Sequence, residues 1–303
     1  MRLLYKERKN MAKILLDTDI GSDIDDSLCL AYLLAQPECD LLGITTVSGE
    51  PEKRAMLADV ICKHAGRAVP IYPGIENPIL GQQMQSRAQQ AQRLANWPHQ
   101  VDFPKRQALH FLQDSIRKNP SEITLLAIGP LTNVGLLFAM DEEIPSLLKE
   151  LVIMGGRFYN RVPNAPMAEW NIYCDPYAAE IVLKSPVQKR WIGLDVTLQV
   201  KMDHEEMLQH FSADILKPVV DFAGVWFQNC SEMFFHDPLA ATVIFDEAIC
   251  TYEQGEAEVE LCNQRLAGFT YWQAGEGDCK IATSVDVERF FGHYFDTVAN
   301  VGE

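Results

Sequence analysis

The chain has 303 residues, and 48% of them are hydrophobic, enough to bury a substantial core. Its 26 basic and 42 acidic residues leave a formal net charge of -16. Nucleic acids and anionic membrane surfaces need a basic footprint, so this balance argues against both as partners. No run of the sequence approaches the ~18 apolar residues that a membrane span requires.

Apolar strand-like runs alternate with helical patterns through the first two thirds of the chain. The predicted strands cover 13–16, 41–47, 69–74, 122–129, 150–156 and 190–197, and the predicted helices 27–36, 52–65, 104–118, 131–140 and 175–185. The stretch from about 203 to 246 reads as mainly helical; two late strands follow in 258–273 and a closing helix in 286–298. Unbroken apolar strands predict a mostly parallel sheet covered by helices on both faces. We therefore expect a single α/β domain spanning 1–303.

The N-terminus and the cysteines bear on where the protein resides. Residues 1–11 are basic and lack an apolar segment, which predicts a flexible leader rather than a secretory signal. Eight scattered cysteines form no C-x-x-C pair, so zinc and dithiol redox motifs lack support. Free thiols in apolar runs pack as small hydrophobes and point to a reducing compartment. We predict a cytoplasmic protein.

Five aspartates fall within ten residues directly after the first predicted strand, namely Asp17, Asp19, Asp23, Asp25 and Asp26. Ligands of parallel sheets bind beyond the carboxyl ends of the strands, where this cluster lies. Hard divalent cations take oxygen ligands, and the N-terminus of the following helix favours negative charge. The cluster predicts a metal site, against the plainer alternative that these aspartates cap a helix or line a solvated turn.

Two other metal-dependent classes share part of this pattern. An EF-hand does not fit, because Gly21 comes too early in the loop and no glutamate lies nearby. A strand ending in D-x-D also resembles phosphatases of the haloacid dehalogenase type, whose first aspartate attacks phosphate. Gly21 stands where that class carries threonine or valine, and we find no clear downstream acidic pair. The phosphatase alternative is weakened but stays open.

A second cluster, "FFHDPLAA" at 234–241, completes a recognisable set of motifs. The chain resembles the inosine/uridine-type nucleoside N-ribohydrolases. The matching segments run nearly end to end, in the order "ILLDTDIGSDIDD", "GITTVSG", "AIGPLTNVG", "LVIMGG", "NAPMAEWNIYCDP", "LDVT", "HDPLAA" and "VDVERFF". The resemblance implies a single α/β domain, a Ca²⁺ ion at the bottom of the pocket, hydrolysis of the N-glycosidic bond of nucleosides, and a homodimer or homotetramer.

The resemblance also implies roles for individual residues. The Ca²⁺ ligands would be Asp19, Asp26, Asp237 and the backbone carbonyl of Ile128. The ribose would be held by Asp25, Met154, Asn164, Glu169 and Asn171, with Met154 beneath the sugar. His236 would face the base.

Elementary chemistry agrees with these roles. Cleavage of the C–N bond builds oxocarbenium character on the ribose, and water attacks the face opposite the base. A metal that holds the water and the sugar diol orients both and acidifies the water. Asp19 is our candidate for the group that accepts the proton. An imidazole with a pKa near neutrality can protonate the leaving base, which suits His236.

Three features depart from the family pattern. Asp23 is an additional aspartate, and a shifted register would put it in place of Asp25 or Asp26. Glu50 stands where many members carry an asparagine that helps to hold the sugar, so we predict it as a substrate contact. The stretch 80–100 is rich in glutamine and offers only His99, where members have a loop rich in glycine and histidine. Such loops supply base contacts, so base specificity stays open.

Several functions therefore remain in competition. The leading hypothesis is a Ca²⁺-dependent hydrolase that frees a purine or pyrimidine base and ribose. The others are a hydrolase of a modified N-riboside, the phosphatase, and a riboside-binding protein without turnover. Four aromatic residues could stack on a base, although aromatics at helical spacing are more often core: Trp226, Phe227, Phe234 and Phe235.

Overall fold

The computed structural model describes residues 11–159 and 166–299. Of the predicted flexible leader only Met11 falls within this part of the chain, where it is exposed. Asn164, predicted to bind the sugar, lies outside the described residues.

A nine-stranded sheet forms the centre of the molecule, in the order β10-β9-β11-β6-β5-β4-β1-β2-β3. Its strands pair in parallel except where β9 meets β10 and β11. A separate antiparallel pair joins β7 and β8. The strand bounds are β1 Ala12–Thr18, β2 Cys39–Thr46, β3 Ile71–Pro73, β4 Ile123–Ala127, β5 Glu150–Met154, β6 Lys189–Ile192, β7 Lys201–Asp203, β8 Glu232–Phe234, β9 Cys250–Val259, β10 Thr270–Ala274 and β11 Cys279–Val285. The predicted single α/β domain with a mostly parallel sheet is confirmed.

Helices cover both faces of the sheet, and their packing explains the unbroken apolar strands. On β1, Ile14 and Leu16 belong to one core with α1, α2 and α12, whereas Leu15 belongs to a second core with α3, α4 and α7. The helix bounds are α1 Asp25–Ala35, α2 Pro51–His64, α3 Ala108–Lys118, α4 Thr132–Met140, α5 Ile144–Leu147, α6 Trp170–Cys174, α7 Pro176–Leu183, α8 Leu194–Thr197, α9 His204–His210, α10 Lys217–Trp226, α11 His236–Thr242 and α12 Val287–Ala299. None of the described helices is long and apolar enough to cross a membrane.

The strand order opens a crevice at the middle of the sheet. From β1 the chain moves outward to β2 and β3, and from β4 it moves the other way to β5 and β6. Neighbouring connections that leave in opposite directions separate above the carboxyl ends of their strands, and ligands of open parallel sheets bind there. The ends of β1 and β4 therefore mark the expected site.

Three sequence predictions need correction. The strand expected over 190–197 ends at Ile192, because Gly193 starts the short helix α8 that contains the rest of the segment. The region 203–246 contains α9, α10 and α11 but also β8, which pairs with β7. The late region contains three strands rather than two. They extend one edge of the sheet, and β9 pairs antiparallel with both β10 and β11.

Candidate active site

Carboxylates from two distant segments meet at the end of β1. Asp25 and Asp26 form the first turn of α1, where the helix dipole favours negative charge. Asp237 lies at the start of α11, and its backbone N–H donates to Asp25 Oδ2 at 3.4 Å. One oxygen from each of these three carboxylates lies within 4.8 Å of the other two. This group, which we call the aspartate cluster, contains the predicted ligands Asp26 and Asp237 together with Asp25.

The other two predicted ligands lie beside the aspartate cluster and line the same cavity. Asp19 follows β1 and is buried, and its Oδ2 accepts a hydrogen bond from Gln85 Nε2 at 2.5 Å. The carbonyl of Ile128 follows β4 and accepts from Asn171 Nδ2 at 2.9 Å, which leaves its second lone pair. Asp23 is half-buried, and its carboxylate accepts from the backbone N–H of Ile24.

The site carries more negative charge than its surroundings balance. Burial raises the pKa of Asp25, Asp26 and Asp237 well above the ordinary range, and repulsion among neighbouring aspartates adds to this. Burial also raises the pKa of Asp17 and of Asp23 to about 7. A bound cation would offset this charge and favour the ionised form of the carboxylates.

A positively charged side chain, that of Arg54, lies close to these carboxylates. Arg54 on α2 is completely buried, and it donates to the backbone carbonyls of Asp19, Ile20 and Gly49. Its charge lowers the pKa of Asp19 and Asp26, although burial still raises both. A single guanidinium leaves the aspartate cluster uncompensated, and the donors around it are all oxygen. Such a donor set fits a hard divalent cation, so the cluster could hold a metal ion.

The surrounding cavity measures about 620 Å³, within the usual range for small-molecule sites. Its polar floor is the set of carboxylates already described. Its apolar walls include Met84, Met154, Trp170, Leu194, Leu198, Trp226 and Phe234. A polar floor below apolar walls suits a ligand with a hydroxylated part and a flat hydrophobic part.

Four of the predicted sugar-binding residues line the cavity, namely Asp25, Met154, Glu169 and Asn171. Glu169 caps α6, because its carboxylate accepts from the backbone N–H groups of Asn171, Ile172 and Gly156. Burial raises its pKa to about 7 in spite of these bonds. Asn171 Nδ2 donates to the carbonyls of Ile128 and Met154, so its amide oxygen is the atom left for a ligand.

His236 begins α11 and lines the cavity next to the aspartate cluster. Its Nδ1 lies 2.7 Å from Thr197 Oγ1, and its ring stacks on Phe234. Burial lowers the pKa of His236 to about 4, which differs from the near-neutral value expected from the sequence. The imidazole is therefore neutral at pH 7, with Nε2 as the ring nitrogen left for a ligand.

Glu50 and His99 do not line the cavity. Glu50 is the N-cap residue of α2 with a left-handed φ of 58°, and its carboxylate pairs with Lys53 and accepts from the backbone N–H of Ala88. Asparagine tolerates this backbone conformation better than glutamate does. His99 contacts the carbonyl of Trp97 through Nδ1. Neither residue is brought to the carboxylates.

The four candidate stacking residues divide into two pairs. Trp226 and Phe234 line the cavity. Phe235 is completely buried in the core, and Phe227 stacks on His204. Stacking on a ligand is thus open to Trp226 and Phe234.

The match to known proteins follows the same motifs. The family model described as "Inosine-uridine preferring nucleoside hydrolase" matches residues 14–292. The chain belongs to the nucleoside hydrolase family. The resemblance drawn from the motifs is confirmed, and with it the enzyme class of nucleoside N-ribohydrolases.

Named nucleoside hydrolases align with nearly the whole chain. "Uridine nucleosidase 1" of Arabidopsis thaliana is 29% identical over an alignment of 312 positions that covers 91% of this chain and 90% of the relative. The "Inosine-uridine preferring nucleoside hydrolase" of Crithidia fasciculata is 28% identical, with 96% and 98% covered. A purine-preferring ribonucleoside hydrolase structure from Gardnerella vaginalis superposes with a TM-score of 0.83 at 24% identity, covering 95% of this chain and 98% of that one. This last likeness shows the shared fold.

Three residues of this nucleoside hydrolase site escaped sequence reasoning. Arg54 lies in an ordinary helix, although its helical spacing from the apolar residues Leu57 and Ala58 was a usable signal. Thr197 sits in the "LDVT" motif, whose contact with His236 depends on α8. Gln85 lies in the glutamine-rich stretch, where one glutamine cannot be told from the next.

Proposed function

We propose that the protein is a Ca²⁺-dependent hydrolase of ribonucleosides that yields free base and ribose. The observation that supports this most is that one cavity contains both the aspartate cluster and His236. Cleavage of a C–N glycosidic bond needs a group that activates water on one side and a group that serves the leaving base on the other.

The metal ligands we propose are Asp19, Asp26, Asp237 and the carbonyl of Ile128. When bound there, Ca²⁺ would orient a water and the sugar hydroxyls together and lower the pKa of that water. Asp25, Met154, Glu169 and Asn171, which line the cavity, would contact the sugar. For Asn164 and Glu50 we keep the same role as a proposal, although Glu50 would have to reach the sugar from outside the cavity lining.

Proton transfer in this scheme involves two side chains. Asp19 would accept the proton of the attacking water, and the charge of Arg54 nearby favours the ionised carboxylate that this role requires. His236 would approach the leaving base through Nε2, since Thr197 occupies Nδ1. A neutral imidazole can donate a hydrogen bond from Nε2–H to the base. To transfer a proton His236 must first become an imidazolium, and negative charge that develops on the base would favour this by raising the pKa of His236.

Both purine and pyrimidine ribosides are proposed substrates. The apolar walls formed by Trp226 and Phe234 suit a planar base and do not favour a purine over a pyrimidine. Relatives named for uridine and for inosine and uridine favour these two nucleosides as the first choices. A modified N-riboside is a second candidate, because residues of the altered loop, Met84 to Arg87 and Gln89, line the cavity.

The test is release of base and ribose from inosine, adenosine, guanosine, uridine, cytidine and a modified-base riboside in the presence of Ca²⁺. We expect turnover of at least one riboside, its loss in Asp19→Ala, and full activity in the exposed control Asp114→Ala on α3. Binding of ribosides without turnover by metal-loaded protein would identify a binding protein instead. Mg²⁺-dependent release of phosphate from phosphate esters would identify the phosphatase.

The role of His236 has its own test. His236→Ala should lose most activity on nucleosides but keep it on 4-nitrophenyl riboside, whose leaving group needs no proton. Equal losses on both substrates would contradict the role at the base.

Assembly and compartment complete the proposal. We propose a homodimer or homotetramer in the cytoplasm, with a part in nucleoside salvage. Light scattering of the purified protein would give the number of subunits, and a monomer would contradict this proposal.

A further inference from the structure

A chain of two hydrogen bonds links the rim of the cavity to Asp19. Gln85 donates from Nε2 to Asp19 Oδ2 at 2.5 Å. The Oε1 atom of the same amide accepts from the indole N–H of Trp170. Gln85 is only 8% exposed, whereas the ring of Trp170 lies half in solvent at the mouth of the cavity.

The chemistry of the two end groups determines how the amide of Gln85 is oriented. An indole N–H can only donate, so it requires the amide oxygen on its side. The amide nitrogen must then face Asp19, and an ionised carboxylate can only accept. Both partners therefore require the same orientation of the amide. A glutamine between two groups that can each donate or accept would not be fixed in this way.

We propose that Gln85 is a positioning residue for Asp19, with Trp170 locking the amide of Gln85. Because Gln85 holds Oδ2 of Asp19, the position of Oδ1 is fixed as well, and with it the orientation of the carboxylate towards a metal or a water. Oδ1 points to Gly129, since a Cβ added at Gly129 would lie 2.8 Å from it. Gly129 follows Ile128, whose carbonyl is a proposed metal ligand. The inference rests on the proposed function, because it assigns Asp19 its orientation for that reaction.

The loop itself does not depend on this contact. Gln90 is buried and donates to the carbonyls of Ser22 and Asp23, and its backbone N–H donates to the carbonyl of Gly21. Arg54 also holds the loop through the carbonyl of Arg87. These bonds fasten the glutamine-rich loop to the aspartate segment without Gln85. The side chain of Gln85 is therefore free for a role at Asp19.

The experiment compares Gln85→Met, which keeps the length of the side chain, with Trp170→Phe, which keeps a ring but removes the indole donor. We expect kcat to fall about tenfold to a hundredfold in Gln85→Met, as for loss of one hydrogen bond to a charged group, with KM within about twofold. Trp170→Phe should lose less. The double variant should be no slower than Gln85→Met, because both act through one chain of bonds.

Gln82→Met is the matched control, since Gln82 is an exposed glutamine of the same loop. It should retain the parent kcat, and all variants should unfold within a few degrees of the parent. A kcat of Gln85→Met equal to that of Gln82→Met would overturn the proposal. So would a loss that a lower melting temperature accounts for.

A readout without turnover separates this proposal from the proposed function. In the crystal structure of Gln85→Met we expect the carboxylate of Asp19 to rotate away from the orientation held by Gln85. Calorimetry should then show Ca²⁺ bound several-fold more weakly. An unchanged Asp19 orientation would overturn the proposal even if the enzyme is active. A rotated Asp19 would support it even if no tested riboside is hydrolysed, in which case only the proposed function fails.

Discussion

Arg54 shows how a single residue makes the acidic segment compatible with burial. Its guanidinium donates to the carbonyls of Asp19, Ile20 and Gly49 and to the hydroxyl of Ser22. Buried charges that are both paired and hydrogen-bonded are tolerated, whereas removal of one partner leaves an uncompensated charge. The position of Arg54 therefore matters for stability as well as for the charge of the site.

We expect Arg54→Met to lower the free energy of unfolding by about 3–5 kcal/mol, because Asp19 and Asp26 would lose the buried positive charge that offsets theirs. Lys53→Met on the same helix removes an exposed ion pair with Glu50 and should cost less than about 1 kcal/mol. Urea denaturation of both variants in a chelator gives the two values. Equal losses would mean that Arg54 contributes no more than a surface cation.

Thr197 acts on the reaction through His236. Thr197→Val removes the hydroxyl 2.7 Å from Nδ1 of His236 and leaves a side chain of similar shape. We expect kcat to fall roughly tenfold with little change in KM, in line with the loss of about one hydrogen bond, and Thr197→Ser to restore most of it. Steady-state kinetics on the best nucleoside decides. A normal kcat in Thr197→Val would show that Thr197 does not orient the ring.

At the scale of elements, the turn after β4 must come very close to the segment after β1. A Cβ at Gly129 would stand 2.8 Å from Asp19 Oδ1 and from Val47 Cγ1, closer than real Cβ contacts. This close approach places the carbonyl of Ile128 beside Asp19. Only glycine fits there without moving the carboxylate.

Gly129→Ala should therefore displace Asp19, lower kcat at least tenfold and destabilise the protein by about 1–3 kcal/mol through overpacking. Gly292→Ala in α12 is the control, because a Cβ there meets nothing within 4 Å. Alanine inside a helix is favoured over glycine, so the control should gain up to about 1 kcal/mol. Thermal unfolding and kinetics of both variants test this, and similar behaviour would contradict it.

The elements most readable from the sequence were those with strong local patterns. β1, α1 and β4 lie within a few residues of their predicted positions, because buried parallel strands and their helices leave long apolar runs. α3 begins at Ala108 rather than at 104, and β8 and β11 were missed. Short strands of this kind form because a partner strand is present, and the partner is not visible locally.

The same distinction holds for the site. The sequence motifs pointed to Asp26 and Asp237, and the structure brings these two together with Asp25. Gln85 could not be foreseen, since its contact with Asp19 spans 66 residues and depends on the path of an irregular loop. The neutral state of His236 likewise follows from burial by surrounding segments rather than from its neighbours in sequence.

For the whole molecule, repulsion within the aspartate cluster would couple folding to the binding of a cation. We expect a chelator to lower the melting temperature and Ca²⁺ to raise it. At a Ca²⁺ concentration of a hundred times Kd, the free energy of unfolding should rise by about 2.7 kcal/mol. Asp237→Asn should shrink this response, yet be no less stable than the parent in chelator, because one like charge is gone. Calorimetric scans with and without Ca²⁺ give both values. A melting temperature that ignores Ca²⁺ would contradict a metal site here.

The positions of the cluster residues along the chain also determine how early in protein synthesis the site can form. Asp25 and Asp237 are 212 residues apart, and β1 needs both β2 and the much later β4 beside it. A nascent chain that ends before α11 contains Asp25 and Asp26 but lacks Asp237, the third member of the aspartate cluster. Capture of a cation by the complete aspartate cluster would therefore come late in synthesis, once α11 has been made. Until β2 and β4 have been made, the apolar side chains of β1 lack the strands beside which they are buried, and this segment of the new chain stays exposed to unwanted contacts.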